Sequence, residues 1–129
     1  GNVDVYEAEF GTLIQSYNAA KNDIFSLDYV HFNDRNGDLI ELLVAGCVDG
    51  RVLQLTRRNH EYQAVANIND VMIETVSKQT EFVQTGYHRY HTHDVNAVSV
   101  TKDKVVSGGV DTQLISCSTR DFWTHYICS

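Results

Sequence analysis

A chain of 129 residues, 43% apolar and 21% charged, is long enough to bury a core and too apolar to be wholly disordered. Its formal net charge of −7 argues against broad, sequence-independent binding to nucleic acid, which needs a basic footprint. The longest apolar run, around residues 42–45, is far too short to span a bilayer.

Along the chain the dominant signal is alternation with period two. Val3 and Val5 form a first run, and Leu13 opens a second after Glu9, Phe10 and Gly11. Ile24, Phe25, Leu27 and Tyr29 predict a strand, followed by Leu42, Leu43 and Val44. The turn Val48–Asp49–Gly50 then leads into Val52, Leu53 and Leu55. After a long interval the pattern returns at Val95, Ala97, Val98 and Val100, at Val105 and Val106, and at Leu114 and Ile115. Short β-branched runs bounded by Gly, Asp and Asn predict strands joined by tight turns. Residues 59–80 read as a long loop between strands, with residues 69–78 as the one helix candidate.

Self-comparison finds a repeat. Leu43–Val44–Ala45–Gly46–Cys47–Val48–Asp49–Gly50–Arg51–Val52 aligns with Val105–Val106–Ser107–Gly108–Gly109–Val110–Asp111–Thr112–Gln113–Leu114. Both read as strand, small residues, an Asp-containing turn and strand. A further strand precedes each, from Asp23 to Leu27 and from Asp94 to Val98, and the opening Gly1 to Tyr6 fits the second half of the same unit.

These units resemble WD repeats, each a four-stranded antiparallel propeller blade. That pattern places a His before the first strand, a Ser or Thr on the second, an Asp in the turn after it and a Trp on the third. His93, Ser107 and Asp111 occupy three of those places, and the resemblance implies a His93–Asp111 hydrogen bond that locks loop to turn. Cys117 stands where Trp would be. In the preceding unit Asp49 matches, while Asn22 takes the His place and Leu55 the Trp place; Tyr6–Glu7 imitates the Trp–Asp pair.

Three stretches resemble the cirhin family of the small-subunit processome more closely than WD repeats in general. They are Tyr6–Glu7–Ala8–Glu9–Phe10–Gly11–Thr12–Leu13, then Val48–Asp49–Gly50–Arg51–Val52, and above all His91–Thr92–His93–Asp94–Val95 with Val106–Ser107–Gly108–Gly109–Val110–Asp111–Thr112. The order holds up to about Leu114; residues 59–80 and the tail from Ser118 have no match. The resemblance implies an all-β, partial WD-repeat propeller. Residues 1–18 would end one blade, 19–90 would form a blade with an insertion near 59–80, and 91–129 would start the next, reaching its third strand. The first residue is Gly rather than Met, as expected of a piece of a longer chain. The family implies a non-catalytic nucleolar scaffold, without cofactor or membrane partner, that joins propeller and helical-repeat subunits near pre-rRNA and small nucleolar RNA. The 59–80 loop would be a docking element.

Catalytic readings are weaker. His91, His93 and Asp94 echo the paired His of metallohydrolases, yet His31, His60 and His125 sit in no partner motif, so no metal site is expected. Glu41 with Asp49, or Asp103 with Asp111, can be named as acid–base pairs but read better as solvated turn carboxylates. Cys47, Cys117 and Cys128 show no CxxC pairing, which points to a reducing setting and buried thiols without a base beside them. Arg57, Arg58 and the Arg89 region could touch RNA phosphates but are too few to dominate in an acidic chain. Tyr87 and Tyr90 read at least as well as strand side chains as they do as base-stacking rings. A WD-repeat adaptor in another pathway, such as ubiquitin ligation, is the rival to the scaffold reading.

Overall fold

The computed structural model describes residues 1–18, 23–62, 76–78, 81–120 and 125–128, and every element in them is a strand. Strands β1 (Asn2–Tyr6) and β2 (Leu13–Asn18) form a hairpin, with Val3 buried. Strands β3 (Ile24–Asn33), β4 (Leu39–Cys47) and β5 (Val52–Tyr62) form an antiparallel meander. The outer edge of β5 carries two partners in tandem. β7 (Val83–His88) pairs with its first part, and β6 (Val76–Lys78) pairs with residues His60 to Tyr62. Strands β8 (Val95–Val100), β9 (Lys104–Gly109), β10 (Leu114–Ser118) and β11 (His125–Cys128) form a four-stranded antiparallel sheet in sequence order. The described chain is all-β, and its antiparallel sheets have the arrangement expected of partial propeller blades.

Three expectations are corrected. The third sheet does not stop at its third strand, because β11 pairs with β10 from Leu114↔Cys128 to Cys117↔His125. The interval at residues 59–80 is not simply a loop, since β5 runs on to Tyr62 and β6 pairs back onto it. Val76 to Lys78 is strand rather than part of the helix that residues 69–78 suggest, because the open edge of β5 supplies backbone partners that a lone helical turn would lack. Asn22, expected at the His place of the second sheet, lies outside the described residues, as do residues 63–75.

The core lies between the second and third sheets. Ile40, Leu42, Val44 and Val52 meet Val95, Val100 and Val105, with Val30, Phe32 and Val98 at the margin. Polar bonds cross the same seam. The Ser26 hydroxyl donates to the Val95 carbonyl at 3.2 Å, and the Val100 N–H donates to the Asp28 carboxylate at 2.8 Å. Gln54 Nε2, buried, donates to the Thr119 carbonyl at 3.0 Å. Strand β3 alternates strictly, so the opposite row, Phe25, Leu27 and Tyr29, stands about half exposed at 54%, 55% and 45%. The first hairpin meets the second sheet at β7 and just before it. Gln15 exchanges two hydrogen bonds with the Phe82 backbone, and Tyr17 reaches Gln84.

The two repeated turns share one backbone shape. Asp49–Gly50 and Asp111–Thr112 both put their second residue in the left-handed region, Gly50 at φ +87° and Thr112 at +63°. Glycine adopts that conformation freely, whereas a β-branched side chain there is strained by about 1–2 kcal/mol. A Cβ at Gly50 would also collide with the backbone oxygen of His91. Reciprocal substitutions therefore act in opposite directions. Thr112→Gly raises stability by about 0.5–1 kcal/mol after the entropy cost of glycine, and Gly50→Thr lowers it by at least about 2 kcal/mol. Denaturation midpoints of the two variants check this, and a loss of stability in Thr112→Gly would contradict the strain argument.

Candidate functional site

The segment that joins the second and third sheets carries a dense polar network. It leaves β7 at His88, turns through residues 89–94 and enters β8 at Val95. The buried imidazole of His91 stands at its centre. Its Nδ1 lies 3.1 and 3.2 Å from the two carboxylate oxygens of Asp111, and its Nε2 lies 2.9 Å from the Ser107 hydroxyl. An ionised carboxylate only accepts, so Nδ1 carries a proton toward Asp111. Ser107 sits on β9, and its hydroxyl also lies 3.4 Å from the Ile115 carbonyl on β10. Asp111 receives two backbone donors as well, Thr92 N–H at 3.0 Å and Gln113 N–H at 3.2 Å. Burial acts to raise its carboxyl, but the hydrogen bonds from Thr92, His91 and Gln113 outweigh this and hold it below the usual carboxylate range.

The sequence pattern assigned this position to His93. The structure puts His91 there and leaves His93 exposed, with no hydrogen bond from its ring to any described residue. Two histidines at i and i+2 offer the same chemistry to a linear reading. The bend at Thr92–His93, which lets Thr92 N–H reach Asp111, selects the earlier one. Gly109 completes the fit, because a Cβ there would lie 2.9 Å from both Asp111 Oδ1 and His91 Nδ1.

Asp49 does not reach a histidine. Its carboxylate pairs with the Arg51 guanidinium and accepts the Arg51 N–H at 3.3 Å, and the Arg51 hydrogen bond holds its carboxyl below the ordinary range. The Asp49 carbonyl accepts from Arg89 Nε at 3.1 Å. The turn of the second sheet is thus tied to the same connecting segment that His91 ties to the third.

Ser107, His91 and Asp111 are bonded in the order of a Ser–His–Asp triad. The Ser107 hydroxyl and the His91 ring are buried, however, so the arrangement holds parts together and does not offer the hydroxyl to a substrate. Among the described residues no three His, Cys, Asp or Glu side chains converge as metal ligands; the side chains of His60 and His125 lie outside them. Glu41 and Asp49 lie near opposite ends of β4, and Asp103 and Asp111 flank β9, so each nominated pair is separated by on the order of 20 Å of extended chain. Cys47 and Cys117 are free and buried, and burial pushes the Cys117 thiol up to about 11 and raises Cys47 as well. A thiol so protonated is a packing group, as Leu55 is at the matching position on β5.

One cluster had no counterpart in the sequence reading. Glu41 and Arg57, both buried, face each other across β4 and β5 with Arg57 Nε 2.5 Å from Glu41 Oε2 and Arg57 Nη2 2.9 Å from Oε1. Asn59 Nδ2 and the Tyr29 hydroxyl also donate to this carboxylate, at 2.9 and 2.7 Å. The Arg57 guanidinium lies 4.5 Å over the Phe82 ring. Burial, the hydrogen bond to Glu41 and its charge push the Tyr29 hydroxyl up to about 12. Alternation marked the strands, but only their register sets Glu41 opposite Arg57.

The chain is 28% identical over 115 residues to the U3 small nucleolar RNA-associated protein 4 homolog of Mus musculus, and 27% identical over 115 residues to that of Homo sapiens. Each match covers 89% of this chain and 14% of the relative, so the chain spans a small part of the length of these proteins. No family model matches the sequence.

His91→Ala leaves Ser107 and Asp111 without their shared partner and costs about 1–3 kcal/mol, whereas His93→Ala changes stability by no more than about 0.5 kcal/mol. Thermal melting of the two variants separates them, and equal melting points would refute the role given to His91. The Asp111 carboxyl also makes stability depend on pH. Its folded value lies below the unfolded one near 4, so its contribution is complete above about pH 4 and is lost as pH falls through the depressed folded value. Asp111→Asn therefore shows a shallower fall of melting temperature with acid than the unsubstituted protein; an unchanged acid limb would count against the bond.

Proposed function

We propose that this chain is part of a cirhin-like WD-repeat propeller that acts as a non-catalytic scaffold in ribosome biogenesis, helping to assemble the small-subunit processome for pre-rRNA processing in the nucleolus. The observation that carries the reading is the similarity, extending over 89% of the chain, to proteins named for association with U3 small nucleolar RNA. The geometry supports it. In this reading residues 1–18 end one blade, 19–90 form a blade with an insertion near 59–80, and 91–129 start the next. The His91–Ser107–Asp111 network stiffens the joint between the second and third sheets. The half-exposed row Phe25, Leu27 and Tyr29 is the kind of face that a neighbouring blade buries.

A scaffold of this kind works by geometry. A rigid disc holds several partners at fixed separations through its top, bottom and side loops, and rigidity lowers the ordering cost of each contact. Its partners are the other propeller and helical-repeat proteins of the processome, close to pre-rRNA and small nucleolar RNA. The test is affinity purification of the full-length protein from cells, with its proteins and RNAs identified. Processome proteins and pre-rRNA are the expected recovery. Ubiquitin-ligase subunits in their place would keep the propeller and overturn the role.

A further inference from the structure

The cations of this acidic chain are unevenly engaged. Arg51 pairs with Asp49, Arg57 with Glu41, and Arg58 with Asp34 and Asp38, while Arg89 donates to a backbone oxygen. The arginines that the sequence nominated for phosphate contact are therefore committed elsewhere. Among the described residues, Arg35, Lys102, Lys104 and Arg120 pair with no carboxylate. Three of them, Arg35, Lys102 and Arg120, line one open cleft of about 340 Å³ together with Phe32, Asp34 and Asn36.

Two turns and the end of β10, from two sheets, build this cleft, and each is fixed locally. The β3–β4 turn is closed by the Asp34 carboxylate, which accepts the N–H groups of Asn36 and Asp38 at 2.9 and 3.0 Å. The β8–β9 turn is closed by Thr101, whose hydroxyl accepts the Lys104 N–H at 3.1 Å. Thr119, just past β10, is clamped to the second turn, donating from its hydroxyl to the Lys102 carbonyl at 2.7 Å and from its N–H to the Asp103 carbonyl at 2.9 Å. Lys102 Nζ stands 5.5 Å over the Phe32 ring, so this cation too is placed.

We propose that this cleft, lined by Arg35, Lys102 and Arg120 across the seam between the second and third sheets, binds the phosphodiester backbone of RNA. Three like charges held together without a carboxylate partner repel one another, and bound phosphates relieve that repulsion. Asp34 is the one carboxylate in the lining, and Arg58 at 2.6 Å offsets its charge; Asp103 lies beside Lys102 in the turn. The net charge of −7 does not decide the matter, because salt screens charges beyond about 8 Å and leaves the local set dominant. An acidic protein segment fits less well, since peptide sites add apolar anchors and the one apolar side chain here, Phe32, lies under Lys102. The choice of RNA as the polyanion also rests on the ribosome-biogenesis reading above.

The test is fluorescence anisotropy of a labelled 20-nucleotide single-stranded RNA of mixed sequence with the full-length protein, across a series of potassium chloride concentrations. The triple variant Arg35→Gln, Lys102→Gln, Arg120→Gln is expected to bind roughly tenfold more weakly. Its plot of log K against log salt becomes shallower by about 2, because each lost phosphate contact on a single strand removes about 0.7. Arg51→Gln, a charge loss beyond the far end of β4, leaves both quantities unchanged. The proposal is overturned by an unchanged slope and affinity in the triple variant, or by absence of RNA binding in the unsubstituted protein. It is also overturned if polyglutamate displaces the RNA as well as unlabelled RNA does, which would assign the cleft to an acidic protein. Failure of the scaffold reading is separate: it shows as loss of processome proteins from the purification, whatever the anisotropy reports.

Discussion

The imidazole of His91 is the point through which the described structure is coupled. It satisfies Ser107 on one strand and Asp111 in a turn, while its own backbone presses against the Gly50 turn of the neighbouring sheet. A ring buried between a hydroxyl and a carboxylate has few other orientations that leave no polar atom unpaired, and unpaired groups there are costly. The connecting segment is therefore held by its polar bonds as much as by apolar packing. The Arg89 bond to the Asp49 carbonyl pulls from the other side. Two sheets that could otherwise slide over an apolar seam are pinned in one relative position.

That seam is itself built from two kinds of contact with different jobs. Val44, Val52, Val95 and Val105 are fully buried and supply non-directional attraction. Ser26, Asp28 and Gln54 reach across the same seam to backbone groups at fixed angles. Apolar burial favours contact, whereas hydrogen bonds specify the alignment. In the proposed scaffold role this division matters, because partner sites on adjacent sheets keep their spacing only if the sheets keep theirs.

Charge is organised on the same plan. The Glu41–Arg57 pair is buried, and each charge is met by the other and by hydrogen bonds from Tyr29 and Asn59 to the carboxylate. The cleft of Arg35, Lys102 and Arg120 faces outward and lacks carboxylate partners among the described residues. Whole-chain charge sums these opposites into a single number and loses the distinction that governs binding.

The strands and the two equivalent turns were legible in the sequence, because period-two burial is a local property that any half-buried strand writes into its residues. So was the choice of Ser107 and Asp111 as polar partners, since a small residue on a strand and an Asp in a tight turn are local preferences as well. The identity of the histidine was not, because His91 and His93 differ only in how the backbone bends between them and in what waits across the gap. Residues 76–78 show the same limit: their state depends on the open edge of β5, which no short window contains. Arg57 reads as a cation for phosphate until the strand register sets Glu41 against it, while Arg35, Lys102 and Arg120, 85 residues apart at their widest, line one cleft only because distant segments meet. Sequence by itself determined the all-β class, the repeat and the residue types available. Tertiary structure alone decided which histidine, which charges and which edges meet, because those choices are made by groups distant along the chain and close in space.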